Sequence, residues 1–378
     1  MINESFNLPL LTNIVQIFSR EGIEVCAIVF VVAFLQVYFV IPHIMKIVIV
    51  RKLNDIPDQR SSHKAPTPTM AGVAFFFALI FSLFLIQKFD TEQVAISIIA
   101  STSFIFLVAL KDDLVTVRPL VKIITEIVAI VILLYFTDFP MLNFHGFLGL
   151  NELPSMLSYL IVFIGMLGII NSYNLIDGID GLAAIIAIII FSSFGLIFIV
   201  AGGLWFYVLI CCSFMGMLVA YLIYNFSNKN KVFMGDTGSL IIGFCIAICS
   251  VKFLEMDALS LANFSFLPEN IFYILLSILW IPIFDMIRIM YVRIKNKKSP
   301  FYPDRNHLHH IIIDLGYRHH QVAIFLGISN YISIIGIGYV SGILNYKMML
   351  VVVIILFTLF LVMVETMKKR IISNLKKK

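Results

Sequence analysis

The stretch Asn171-Ser-Tyr-Asn-Leu-Ile-Asp-Gly-Ile-Asp-Gly-Leu182 is a short polar segment between two long apolar runs. It holds the carboxylates Asp177 and Asp180, and a glycine follows each of them. Carboxylates are costly at membrane depth and usually mark function at the boundary of a span. Glycine lets the backbone turn sharply and lets a ligand approach closely. This pattern indicates the polar mouth of an active site between two membrane helices.

Composition determines the fold class. The chain has 378 residues, of which 61% are hydrophobic and 13% are charged, and its mean hydropathy is +1.01. Apolar runs of about 20 residues, the length of a transmembrane helix, recur along the whole chain. We therefore expect an all-α polytopic membrane protein with one integral membrane domain over residues 1–378. The eleven predicted spans are 24–46, 71–87, 94–110, 120–136, 155–173, 182–201, 204–224, 238–254, 271–292, 321–343 and 348–366.

The lysines and arginines lie mostly on one predicted side of the membrane. That side comprises the loops 51–70, 111–119, 174–181, 225–237 and 293–320 and the basic tail 367–378. Positive charge marks the cytoplasmic side, so the N-terminus is expected outside and the C-terminus in the cytoplasm. The tail either rests on anionic lipid head groups or is a plain flank of the last span.

The polar clusters of the sequence all fall in the loops predicted to be cytoplasmic. They are the Asp112-Asp113 pair, the Asp-Gly repeat, Gly235-Asp236 and the histidine run from His307. A transporter would place its ionisable groups near the bilayer midplane and in broken helices. Segregation on one face favours an enzyme that uses a soluble cytoplasmic substrate.

Three acidic motifs are candidate centres of chemistry. A metal ion or a cation such as Lys122 would relieve the repulsion between Asp112 and Asp113, although a solvated helix end is an equal alternative. Asp177 and Asp180 would share one face of a first helical turn if Asp177 begins a helix, and helix capping is the alternative. The amides Asn171 and Asn174 lie at the same mouth.

The third acidic motif is Phe233-Met-Gly-Asp-Thr-Gly-Ser239, at the start of the eighth span. Asp236 with neighbouring hydroxyls suits Mg²⁺, and free N–H groups at a helix start suit phosphate. An exposed Phe233 would stack on a planar base. The alternative is again that Asp236 is a helix N-cap.

The histidine run His307-Leu-His309-His310 follows Asp304-Arg305-Asn306 in the longest basic loop. It lacks a second ligand pair with zinc-site spacing, so charge-assisted binding of an anion is favoured over zinc. The first loop adds Lys64, which either reaches an acidic substrate or only sets the topology. Together the motifs suggest chemistry on phosphates.

These motifs resemble those of the polyprenyl-phosphate N-acetylhexosamine-1-phosphate transferases (glycosyltransferase family 4). The family pattern Asn-x-x-Asn-x-x-Asp-Gly-x-Asp-Gly-Leu matches 171–182, Phe-Met-Gly-Asp matches 233–236, and the Asp-Asp pair matches 112–113. His-x-His-His matches 307–310, and a first-loop pattern matches Asp55, Pro57, Arg60, His63, Pro68 and Gly72. The chain departs from the pattern at Ala71, before the Asp-Asp pair, and between Asn225 and Phe233, but at none of the aspartates.

The resemblance implies an enzyme that transfers a sugar-1-phosphate from a UDP-N-acetylhexosamine to undecaprenyl phosphate and releases UMP. Mg²⁺, or Mn²⁺, would be held by Asp236 with Asp177. One member of the pair Asp112-Asp113 would be the base that deprotonates the lipid phosphate. The implied catalytic residues are Asp112, Asp113, Asp177 and Asp236, and the candidate substrate contacts are Lys64, Lys122, Asn171, Asn174, Asp180, Phe233, Arg305, His307, His309 and His310.

Within the family, His-Leu-His-His and the basic run Arg293–Arg305 resemble the branch that transfers N-acetylglucosamine-1-phosphate. That branch begins O-antigen, common-antigen or teichoic-acid chains. The alternative branch transfers phospho-N-acetylmuramoyl-pentapeptide for peptidoglycan. The expected location is the bacterial inner membrane with the active site on the cytoplasmic face. The expected partners are membrane lipid and a second copy in a homodimer, with no nucleic acid.

Two functions of other classes compete with this reading. Gly235-Asp236 resembles part of the signature of two-aspartate intramembrane proteases, but the neighbouring cations would keep both carboxylates ionised, whereas a protease dyad shares a proton. A transporter of anionic lipids or nucleotide sugars is disfavoured by the one-sided charge distribution.

Overall fold

A computed structural model of the chain describes residues 20–51, 54–55, 67–137, 142–299 and 306–375. Within these residues, ten helices are long and apolar enough to cross a membrane, and a bent helix pair forms an eleventh candidate span. The predicted all-α, multi-pass membrane fold is confirmed. The chain termini are not assigned to a side by these helices, so the predicted orientation stays a prediction.

The helices follow one another with short connections. The spanning helices are α1 (Arg20–Val50), α2 (Ala71–Ile86), α3 (Val94–Leu114), α4 (Pro119–Phe136), α5 (Ser155–Ile176), α6 (Leu182–Val200), α7 (Trp205–Asn225), α8 (Gly235–Leu254), the pair α10 (Ile271–Ile278) and α11 (Trp280–Lys295), α13 (His319–Val340) and α14 (Tyr346–Leu375). The short helices are α9 (Ala258–Leu261) and α12 (Leu308–Asp314). A two-residue antiparallel pair joins β1 (Asn54–Asp55) to β2 (Thr67–Pro68).

Helix α8 is the centre of the bundle. Every residue from Thr237 to Phe253 is buried, and α2, α3, α5 and α6 pack around it. A helix that is apolar and buried on all sides belongs in a core. Its first turn is the polar exception, since it carries Asp236, Thr237 and Ser239.

Small residues allow the neighbouring helices to come close to α8. A side chain on Gly72 would collide with the backbone of Gly238, and one on Gly243 would meet the backbone of Ile170 at 3.2 Å. Because lipid tails are as apolar as leucine, close packing of small residues is a main source of helix association in membranes. The first contact holds the starts of α2 and α8 side by side, and the second brings α5 against α8.

The ninth predicted span is broken rather than straight. Helices α10 and α11 meet at 77°. Pro282 lies four residues after Ile278, so it has no N–H for that carbonyl, and its ring displaces the preceding turn. The side chain of Asn330 in α13 repairs the break, since its Nδ2 donates to Ile278 O at 3.0 Å and its Oδ1 accepts from Ile281 N at 3.0 Å.

A second charged cluster lies at the end of the bundle opposite Asp236. Lys252 Nζ lies 2.6 and 2.9 Å from the two oxygens of Glu92 and 3.4 Å from Glu255, and Tyr207 OH donates to Glu92 at 3.0 Å. The expectation that all polar clusters fall in the predicted cytoplasmic loops is therefore wrong. Sequence did not reveal this cluster because Glu92 and Lys252 are 160 residues apart.

Two predicted segments differ from the structure. The predicted loop 293–320 includes the end of α11, the helix α12 and the start of α13, and the predicted tail continues α14 as helix to Leu375.

We expect Asn330→Leu to destabilise the fold. Leucine has a similar volume but leaves Ile281 N–H and Ile278 C=O buried without a partner, which costs about 2–4 kcal/mol for the two groups. The measurement is thermal unfolding in detergent, followed by the loss of the monodisperse peak in size exclusion. Ser329→Ala, at the preceding position, is the control. An Asn330→Leu midpoint equal to that of the control would show that the side chain does not support the break.

Candidate active site

The start of α8 is capped by a carboxylate from another helix. Asp113, in the last turn of α3, accepts hydrogen bonds from Asp236 N at 2.8 Å, Thr237 N at 3.2 Å and Thr237 Oγ1 at 2.6 Å. Gly235 has a φ of +72°, and an added Cβ there would lie 2.6 Å from Asp113 Oδ2. Thus glycine is needed at this position, and the alternative that Asp236 is the N-cap is wrong.

Asp112 points to a different partner from its neighbour. Its Oδ2 lies 2.5 Å from Lys122 Nζ and its Oδ1 accepts from Val117 N at 2.5 Å. Lys122, near the start of α4, also forms a salt bridge with Asp236. One lysine therefore bridges two carboxylates from α3 and α8, and the cluster carries an excess negative charge.

Asp177 is the residue directly after α5, so it does not begin a helix as considered above. Among the residues that the structure describes, none forms a hydrogen bond or salt bridge with its carboxylate. Burial, together with the nearby carboxylates of Asp236, Asp113 and Asp180, raises the pKa of Asp177 to about 7. The site thus concentrates negative charge beyond what its cations neutralise.

Asp180 has the opposite environment. It lies 2.7 Å from Lys231 Nζ and 2.9 Å from His319 Nδ1. Burial alone would raise the pKa of Asp180, but the hydrogen bonds from His319 and Lys231 together lower it. Asp180 therefore ties the turn between α5 and α6 to the loop before α8 and to the start of α13.

The glycines after the two aspartates have different tasks. The space beside Gly178 is filled by the ring of His309, which a Cβ would strike. Gly181 has a φ of +76° and packs against Phe226. Its N–H donates to Asn225 Oδ1 at 2.6 Å, and Asn225 Nδ2 donates to Val232 O at 2.9 Å. Asn225 thus fixes the loop that leads to Phe233.

The two asparagines at the end of α5 are held by partners on other helices. Asn171 donates to Glu126, a buried residue one turn beyond Lys122 on α4. Asn174 Oδ1 accepts from Ser239 Oγ at 2.7 Å. Glu126 was not among the predicted site residues, although a lone carboxylate in an apolar run is itself a functional signal.

The histidine turn is held by a carboxylate that was also not among the predicted site residues. Asp285 in α11 accepts from His307 Nδ1 at 3.0 Å and from Leu308 N at 3.0 Å. His309 is buried, and its Nε2 has no hydrogen-bond partner in the described part of the chain. Burial and the neighbouring His310 and His307 lower the pKa of His309 well below its usual value.

Phe233 is half-buried, so the expectation of an exposed ring is wrong. Its backbone pairs with the segment before α2, since Phe233 N donates to Pro68 O at 2.8 Å and Phe233 O accepts from Ala71 N at 3.2 Å. Lys231 Nζ lies 5.4 Å from the centre of its ring. Two predicted substrate contacts, Lys64 and Arg305, lie outside the described residues.

The donor set is compatible with Mg²⁺. No group of three histidine, cysteine or acidic side chains within the described residues is arranged to hold a metal ion, which gives zinc no support there. Mg²⁺ is usually held by one or two carboxylates and substrate phosphates rather than by a complete protein cage. Asp177, without a cationic partner, and Asp236, which shares one, match that need.

The glycosyl transferase family 4 model matches residues 95–254. Over this segment the chain is similar to glycosyl transferase family 4. The segment contains the Asp112-Asp113 pair, Lys122, the Asp-Gly repeat and Asp236, and it ends before Asp285 and the histidine turn. The resemblance inferred from the motifs is confirmed.

Curated relatives extend the similarity beyond that segment. The chain is 29% identical over 337 residues to the probable undecaprenyl-phosphate N-acetylglucosaminyl 1-phosphate transferase of Bacillus subtilis, covering 87% of this chain and 89% of that protein. It is 25% identical over 290 residues to the undecaprenyl-phosphate alpha-N-acetylglucosaminyl 1-phosphate transferase of Salmonella typhi, covering 74% of each. The protein of that name from Escherichia coli K12 is 31% identical over 119 residues, covering 31% of this chain and 30% of that protein.

We expect Asp113→Ala to lower the stability of the fold and Asp177→Asn to leave it unchanged or raise it. Asp113→Ala leaves the start of α8 uncapped inside the bundle, a loss of about 2–4 kcal/mol for its hydrogen bonds. Asp177→Asn removes a carboxylate that only repels its neighbours, so the unfolding midpoint should stay unchanged or rise. Thermal unfolding of both variants in the same detergent tests this. Equal destabilisation by both would contradict the division between a capping and an unpaired carboxylate.

Proposed function

We propose that the chain transfers N-acetylglucosamine-1-phosphate from UDP-N-acetylglucosamine to undecaprenyl phosphate and releases UMP. The observation that carries the proposal is the cluster of Asp112, Lys122 and Asp236 beside the unpaired Asp177. The relatives named above support the acceptor and the sugar. The cluster supports chemistry that brings two phosphate groups together, because such chemistry requires local neutralisation of negative charge.

In the proposed reaction an oxygen of the lipid phosphate attacks the β-phosphorus of the UDP-sugar. The new P–O bond forms as the bond from that phosphorus to the oxygen of the α-phosphate breaks, and UMP leaves. We assign Asp112 rather than Asp113 to keep the lipid phosphate deprotonated. The reason is that Asp113 caps the start of α8, whereas Asp112 lies beside Lys122, which we propose to bind the reacting phosphates.

Lys122 has a second task in this proposal. It bridges Asp112 and Asp236, so phosphate oxygens of a bound substrate would replace carboxylate oxygens as its partners. A lysine is a compact, strongly hydrated charge with three donors, which suits such an exchange. It would thereby hold the reacting phosphates together.

We further propose that Asp236 and Asp177 hold Mg²⁺ together with the donor diphosphate. When bound, the ion supplies charge neutralisation on the phosphate oxygens. His307 and His310 would donate hydrogen bonds to the same diphosphate from the opposite side of the Asp-Gly turn, since His309 packs on Gly178 within that turn.

The reacting end of the bundle is proposed to face the cytoplasm of a bacterial inner membrane. The basic loops that flank the site support this side under the positive-inside rule. A UDP-sugar is a cytoplasmic metabolite and undecaprenyl phosphate is membrane-bound, so the boundary between the two phases is where they meet.

We expect purified protein in detergent with undecaprenyl phosphate and Mg²⁺ to release UMP from UDP-N-acetylglucosamine. UDP-N-acetylgalactosamine and UDP-N-acetylmuramoyl-pentapeptide are offered separately, and a coupled assay follows UMP. Release from the pentapeptide donor alone would support the peptidoglycan branch instead. No release from any donor by a monodisperse sample would favour transport of an anionic lipid or a nucleotide sugar.

Removal of divalent metal is expected to abolish that release. EDTA in excess should reduce turnover by at least about 100-fold, because the charges of the two phosphates and of Asp177 and Asp236 would be uncompensated. Added Mg²⁺ should restore it, and Mn²⁺ should restore at least part. Asp236→Asn is expected to lose turnover at every Mg²⁺ concentration, and full activity of this variant would refute the metal assignment.

A further inference from the structure

Asp285 is a buried carboxylate, 2% exposed, on the inner face of α11. It lies outside the matched family segment and was not among the predicted site residues. Its Oδ1 accepts from Arg288 Nη2 at 2.7 Å, Arg288 Nε at 3.1 Å and Leu308 N at 3.0 Å. Its Oδ2 lies 3.0 Å from His307 Nδ1. Four donors thus converge on one carboxylate.

This arrangement determines how His307 can act. The side chains around Asp285 all donate to it, so the carboxylate is ionised and only accepts. The ring of His307 must therefore carry its proton on Nδ1, which leaves Nε2 as the one ring nitrogen available to a ligand. Arg288 also donates to Asn306 O, so it anchors the backbone of the residue directly before His307.

The placement of the turn depends on the same carboxylate. Asp285 fixes both the side chain of His307 and the first N–H of α12. The rings of His307 and His309 lie 5.6 Å apart and nearly parallel, and His309 packs on Gly178. These contacts hold His307 at a fixed position relative to the turn that carries Asp177.

We propose that Asp285 is a positioning residue that fixes the orientation of His307, so that the Nε2–H group of its imidazolium form donates to the diphosphate of the donor. The contact with a diphosphate rests on the proposed function. The carboxylate partner also stabilises a positive charge on the ring, as carboxylates behind histidines do in metal sites and proteases. Asparagine at 285 would remove the negative charge beside Nδ1, so the positive charge on the ring would lose its stabilisation and the ring would bind an anion more weakly.

The test is a double-mutant cycle on UMP release with UDP-N-acetylglucosamine. Asp285→Asn and His307→Gln should each lower kcat/KM by about 10- to 100-fold. The loss should appear mainly in KM, since a group that binds the diphosphate acts in the ground state and the transition state alike. Because the two residues act as one unit, the kcat/KM of the double variant should lie within about threefold of that of the more impaired single variant.

Glu365→Gln, the same carboxylate-to-amide change at an exposed position of α14, is the matched control and should keep the kinetics of the parent chain. Multiplicative losses in the double variant would overturn the proposal, because they would mean that Asp285 supports the fold independently of His307. Wild-type kcat/KM in a folded Asp285→Asn variant would overturn it as well.

A second measurement does not need turnover or a stable Asp285→Asn variant, in which Arg288 would lose its counter-charge. Nitrogen NMR of the full chain labelled on histidine, with His307 identified by the signals that His307→Gln removes, should show a protonated Nδ1 on His307. A deprotonated Nδ1 would refute the positioning. If the parent chain released no UMP while Nδ1 was protonated, the proposed function would fail and the Asp285–His307 assignment would stand.

Discussion

The start of α8 is the constraint on which the rest of the site depends. The first N–H groups of a helix have no partner within the helix, and in the middle of a bundle they need acceptors from elsewhere. Asp113 provides them from α3, which joins the two helices at this depth. Because successive residues of a helix point about 100° apart, its neighbour Asp112 is directed to Lys122 instead. A structural requirement on one aspartate therefore sets the position of the other.

Two other acidic residues also have structural roles, because cations neutralise them. Asp180 is neutralised by Lys231 and His319, and Asp285 by Arg288 and His307. These pairs connect turns that come from distant parts of the chain. Breaking a buried pair by removing one partner is costly, since it leaves an uncompensated charge. Such carboxylates maintain the geometry of the site, and they allow the turn of residues 177–181 to approach the histidines.

The sequence predicted the class of fold, the positions of the spans and the motifs that meet at one end of the bundle, because apolar length and charge in loops are local properties. It did not distinguish Asp112 from Asp113, since adjacent residues of one type differ only in what faces them. It also missed Glu126 and Asp285, whose partners lie 45 and 22 residues away. The break at Pro282 was visible as a proline in an apolar run, but its repair by Asn330 depends on packing between helices.

The unneutralised charge is confined to one place. Asp112 and Asp236 share a single lysine, and Asp177 has no cation among the described residues, so three carboxylates converge on one positive charge. Like charges in a partly buried site destabilise the folded chain, and Asp113 and Glu126 at this end of the bundle have hydrogen-bond donors but no salt bridge. A site that keeps such repulsion gains interaction energy when a cation and its phosphate ligands enter. The excess charge is therefore better explained as part of a binding function than as a defect of packing.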